Sequence, residues 1–91
     1  MTQMNTLTDK QATVEYLIRA LYAAKAEFKD ASSAVATAEH ELKSVLADVS
    51  ACAGDRNDAK TVRVNALARY EEAEIAYQAI HRVCRKLALV G

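Results

Sequence analysis

The chain has 91 residues, enough for one domain, with 52% apolar residue types, no proline, two glycines and 5% aromatics, a balance that points to an all-α protein. Lys plus Arg and Asp plus Glu number 12 each, which argues against both a strongly basic nucleic-acid binder and a strongly acidic mimic of nucleic acid. The start, Met1-Thr2-Gln3-Met4-Asn5-Thr6, lacks the basic and apolar regions of a signal peptide, and no apolar run approaches the length of a membrane span. A cytoplasmic protein is expected, with no membrane partner and no sequence-specific nucleic-acid binding.

Residues 1–8 are expected to be frayed. Thr8-Asp9-Lys10-Gln11 then carries a helix start, because the Thr8 hydroxyl can cap the Gln11 N–H while Asp9 complements the helix dipole. From about residue 9 to 49 one helix is expected, carrying a seven-residue repeat of Val14, Leu21, Phe28, Val35, Leu42 and Val49. Leu17, Ala24, Ala31, Ala38 and Val45 interleave with it, so the stripe is a coiled-coil seam whose alanines let a partner helix approach closely. Asp30-Ala31-Ser32-Ser33 is a weak helix former and offers a bend near 30–33, but without Gly or Pro the continuous helix is preferred.

A turn over 50–57 is expected, with Gly54 closing the first helix and Asn57 or Asp58 capping the next. The second helix, about 58–89, places Val62, Ala66, Tyr70, Ala73, Tyr77, Ile80, Cys84 and Leu87 on one face, widened by Ala76 and Val83. A turn centred on Gly54 pairs residues whose numbers add to about 109, setting Phe28 near Ile80 and Leu42 near Leu67. Large side chains then face small ones, giving a long antiparallel helical hairpin.

Two features exceed what one hairpin can bury. The longer first helix would leave Val14, Leu17 and Ile18 overhanging, and Val64, Leu67 and Ile75 lie off the main seam. A homo-oligomer, as a dimeric or higher helical bundle, is the expected remedy.

No catalytic constellation is legible. His40 and His81 fall far apart along the hairpin, so no metal site is expected within one chain, and no cofactor motif is present. Cys84 sits on the seam as a small core residue, while Cys52 sits in the turn as an exposed thiol, too far away for a disulfide. Glu71, Glu72 and Glu74, with Glu39 and Glu41, lack the inward Glu-x-x-His spacing of a carboxylate metal site and form a solvated face.

Charge position says more than net charge. Residues 31–75 hold eight acids and five bases, the remainder four acids and seven bases. At the open end Tyr16, Arg19, Tyr22, Lys25, Lys29, Arg82, Arg85 and Lys86, with Tyr77 nearby, form a candidate binding patch, able to hold phosphates and stack on bases.

The segment Leu67-Ala68-Arg69-Tyr70-Glu71-Glu72-Ala73-Glu74-Ile75-Ala76-Tyr77-Gln78-Ala79-Ile80 resembles a Leu-Thr-Lys-Leu-Glu-Glu-Ala helix of the phage sponge proteins that sequester cyclic oligonucleotides and so counter CBASS defence. The similarity departs at Tyr70 and after Ala76. The resemblance implies an oligomer of helical hairpins with ligand sites between subunits and no turnover. The preferred expectation is a non-enzymatic binding protein that occupies a host protein's surface, of the kind mobile elements encode as inhibitors. A sponge for anionic nucleotides and a structural coiled-coil assembly factor are the alternatives.

Overall fold

The computed structural model describes residues 2–89, and side chains from residue 10 to 89. Helix α1 spans Thr2–Ala47 and helix α2 spans Ala53–Lys86. They pack side by side as a two-helix hairpin whose longest dimension is 73 Å. A straight helix of 46 residues is about 69 Å long, so α1 runs nearly straight through Asp30–Ser33 and the bend weighed there is not taken. With no Gly or Pro nearby, the packed alanine at Ala31 outweighs the weak local propensity of the serines.

The described helix begins at Thr2, upstream of the start expected at Thr8. Nothing in Thr2–Leu7 breaks a helix, so once α1 is nucleated it can propagate backwards. The capping role assigned to the Thr8 side chain lies outside the described side chains, as does everything concerning Met1.

The turn departs from expectation in a way that shifts the whole pairing. It occupies residues 48–52, ahead of the 50–57 expected. Asp48 Oδ1 accepts from the Ser50 N–H at 2.9 Å and from the Ser50 hydroxyl at 2.6 Å, and the Ala51 N–H donates to the Asp48 carbonyl at 3.2 Å. A carboxylate that bonds its own downstream backbone competes with the helix and ends it. Cys52 then caps α2, with extended backbone (φ −79°, ψ 167°) and its sulfur accepting from the Asp55 N–H at 3.4 Å. Gly54 is therefore inside the first turn of α2 and caps nothing, and Asn57 and Asp58 are ordinary helical positions.

Moving the turn forward slides α2 by about one heptad relative to the expected pairing. Phe28 meets Tyr70 and Tyr77, with ring centroids 5.1 and 5.8 Å away, instead of Ile80. Cys84 lies against the Leu17 carbonyl, its sulfur 3.9 Å from the oxygen, so Leu17 is covered and the overhang of α1 starts further towards its N-terminus. Near the turn the seam of α2 is carried by Arg56, Ala59 and Arg63, which are half-buried, while Val62 is 49% exposed. The 4-3 spacing that links Ala66, Tyr70 and Ala73 extends back to 63, 59 and 56, not to 62.

Among the described residues the fully covered core consists of Leu21, Ala31, Ala38, Ala73 and Cys84. Four of these five are small, which allows close helix approach but removes little apolar area from water. By the register of the seam, large side chains fall opposite small ones: Tyr70 and Tyr77 opposite Ala31 and Ala24, Phe28 opposite Ala73. At its far end α2 closes with Ala88 in the left-handed region (φ 57°), the Leu89 N–H bonded to the Cys84 carbonyl at 2.9 Å and the Ala88 N–H to the Arg85 carbonyl at 3.0 Å. This is the Schellman arrangement, in which glycine is the usual occupant of the left-handed position.

Candidate functional site

The open end of the hairpin, away from the turn, is built by residues 10–30 of α1, 75–86 of α2 and the residues 87–89 that follow it. A ladder of rings leads there from the core. Phe28 stands between Tyr70 and Tyr77, and Tyr77 stacks on His81 at 5.6 Å with the rings 26° apart. Tyr77 and His81 are four residues apart, so one lies above the other on the same side of α2.

Beside this pair lies an open concavity of about 480 Å³, lined by Tyr77, Gln78, His81, Arg82, Arg85 and Lys86. It offers a half-buried aromatic floor and three permanent cations on flexible stems. A planar anionic ligand could stack on the rings while its charge meets the guanidinium forks of Arg82 and Arg85.

Two ion pairs fix the flanks of the hairpin. Arg69 Nε donates to Glu27 Oε1 at 2.8 Å on one flank, and Arg63 Nη2 lies 3.7 Å from Glu39 Oε1 on the other. Arg69, which the expected pairing set opposite His40, is thus bound to Glu27, and His40 is exposed. Heptad phase places the remaining residues relative to these pairs. Tyr22, Lys25 and Lys29 share the Glu39 flank with Gln78, His81 and Arg85. Tyr16 falls on the Glu27 flank, and Arg19 and Arg82 project from the outer edges of their helices. The eight residues expected to form one patch thus share one end of the molecule but not one face. Tyr16 and Tyr22 are 70% and 68% exposed, so neither fills the core.

Sequence reasoning set Tyr77 on the seam and near the basic patch, but read His81 as solvated or partly packed and so missed it as part of the floor of the concavity. Their i,i+4 spacing beside three bases was the available signal.

The Arg69 hydrogen bond holds the Glu27 carboxyl below its ordinary range against the opposing effect of desolvation, with the Arg69 charge adding a smaller lowering, and the same contact raises Arg69. Asp48 is likewise lowered, chiefly by the side-chain bond from Ser50, then by the Ser50 backbone bond.

At the opposite end a second open concavity is lined by acidic groups, among them Glu41, Asp48, Asp55 and Asp58, with His40. Among the described residues no three His, Cys, Asp or Glu side chains are grouped to hold a metal ion. Cys84 is fully buried and Cys52 exposed, and both are free thiols. No described helix is long and apolar enough to cross a membrane.

Comparison with protein-family models, with curated proteins and with solved structures finds no match to this chain.

Proposed function

We propose that this chain is a non-enzymatic, cytoplasmic helical binding protein that works through contact with other protein surfaces, its own copies included. The observation that carries this reading is the imbalance between what the hairpin buries and what it leaves in water. Among the described residues its covered core is five mostly small side chains, while Tyr16, Tyr22, Leu46, Val49, Val62, Val64, Ile75, Val83 and Leu87 are exposed. Scattered apolar residues are normal on a surface, but this many on so thin a molecule are area that a partner would cover. A host protein bound and blocked by such a bundle, as mobile-element inhibitors do, is the functional form we favour.

The test is sedimentation of the purified protein together with a pull-down from the host. An oligomer that captures a partner, and loses it when Val64 and Ile75 are changed to Asp, is expected. A monomer that captures nothing overturns the proposal.

A second reading is supported by the Tyr77–His81 floor and its rim of Arg82, Arg85 and Lys86. In it the protein sequesters an anionic nucleotide, in line with the resemblance of Leu67–Ile80 to cyclic-oligonucleotide sponges. Charge reversal at Lys25 or Arg82 should then lower affinity for cyclic oligonucleotides at least tenfold in calorimetry while leaving the oligomer unchanged. Equal titration curves for variant and parent would remove this reading and leave the first intact. A purely structural coiled-coil assembly factor, the remaining alternative, would tolerate such charge reversals but not Ala31→Leu or Ala38→Leu, which would wedge the seam apart.

A further inference from the structure

The Glu27–Arg69 flank of the open end differs from the basic flank opposite. Along α2 it presents Glu72, Ala76, Ala79, Val83 and Lys86, spaced 4-3-4-3 and all exposed. That spacing is a second heptad stripe, turned away from the stripe that packs on α1. Beside it on α1 stand Tyr16 and, one turn on, Ala20 and Ala23, followed by Glu27, whose charge is met by Arg69.

The stripe is self-complementary when reversed. Laid antiparallel on a second copy about Ala79, Glu72 falls on the partner copy's Lys86 position and Ala79 on its own equivalent, while Val83 falls within one residue of its Ala76 position. A two-fold interface requires this property: what residue i meets on j, j must meet on i. The acid and base at the two ends attract in the antiparallel register and repel in the parallel one, where each meets its like. Small side chains at the axis let the backbones approach, and the large-on-small steps at either side fill the space.

We propose that this flank is the self-association surface, and that two copies pair through it antiparallel, α2 on α2 and α1 on α1, as a four-helix bundle. The inference rests on the self-associating reading above and assigns it a face and a direction. The basic concavity stays outside, although Lys86, whose flexible side chain borders it in the single chain, turns towards the partner copy.

The paired area is about 21 Å long, from Glu72 to Lys86 at 1.5 Å per residue, and roughly two helix diameters wide. Each copy therefore covers on the order of 450 Å², at the low end for a specific contact. A reversible dimer is the expected consequence.

Sedimentation equilibrium on the full chain and three variants tests the pairing. The parent should show twice the 9.9 kDa chain mass at high concentration. Ala79→Glu, which sets two like charges face to face at the axis, should weaken the dimer at least tenfold with unchanged helical circular dichroism, because residue 79 is exposed in the single hairpin. Glu72→Lys alone should weaken it as well, and adding Lys86→Glu to Glu72→Lys should restore it. A parent that stays monomeric overturns the self-associating reading and this inference with it. An oligomer indifferent to Ala79→Glu, or a double variant no tighter than the single, leaves that reading standing and overturns the assigned face.

Discussion

At the scale of single residues the placement of the turn is decided by two weak polar devices, the Asp48 carboxylate on Ser50 and the Cys52 sulfur on Asp55. Gly54 reports on them directly. A Cβ built on Gly54 would stand 3.7 Å from the Cys52 sulfur, ordinary contact distance, and the position is helical. Gly54→Ala should therefore stabilise the protein by about 0.5–1 kcal/mol, seen as a higher midpoint in urea unfolding. Were Gly54 a left-handed helix cap, the same substitution would destabilise it.

The two lowered carboxylates set an acid dependence. Glu27 and Asp48 start from ordinary values of 4.5 and 3.8 and are lower in the folded chain. Their contribution is complete above those ordinary values and is lost as pH falls through the folded ones. Stability followed by thermal melting should be level from pH 7 to about 5 and decline below about 4.5. Both groups are exposed, so the decline should be shallow and smaller in high salt. Replacing Glu27 by Gln should flatten it further.

At the scale of the element, the all-α hairpin and its large-on-small packing were legible because each helix carries its own seven-residue stripe. The register was not. A stripe that repeats every seven residues looks the same after a slip of seven, so the pattern accepts both the pairing of Phe28 with Ile80 and the observed pairing with Tyr70 and Tyr77. Only the turn distinguishes them, and its determinants are local bonds from Asp48 and Cys52 that composition presents less loudly than a glycine. The basic residues of the open end were legible as charges, but their division between two flanks needed the register. His81 was hidden because a lone histidine beside the seam carries no signal of its own until it is seen stacked on Tyr77. The alanines do carry the close approach expected of them, since Ala31 is 0% and Ala38 3% exposed. Ala31→Leu should wedge the helices apart and cost about 1–3 kcal/mol, whereas Ala36→Leu, at an exposed position beside the seam residue Val35, should cost almost nothing. Equal effects at the two positions would contradict the packing.

At the scale of the whole molecule, a two-helix hairpin has only one internal interface. The contact here is rich in Ala, so each residue along it removes less apolar area than a Leu or Ile seam would. The aromatic ladder around Phe28 adds half-buried rings near the middle of the hairpin, while exposed apolar residues remain on its surface. A molecule built this way gains stability from any copy or partner that covers a flank, and that gain is linked to concentration. The linkage also gives the proposed binding role a physical basis, since the surface that stabilises the bundle is the surface that a host protein would compete for.

Thermal unfolding measured across about a hundredfold range of protein concentration tests this account most directly, because binding between folded copies raises the midpoint by mass action. A Tm that climbs steadily with concentration, by several degrees over that range, is the predicted result. A Tm independent of concentration, in a chain that also sediments at 9.9 kDa, would show that the hairpin is sufficient alone and would contradict it.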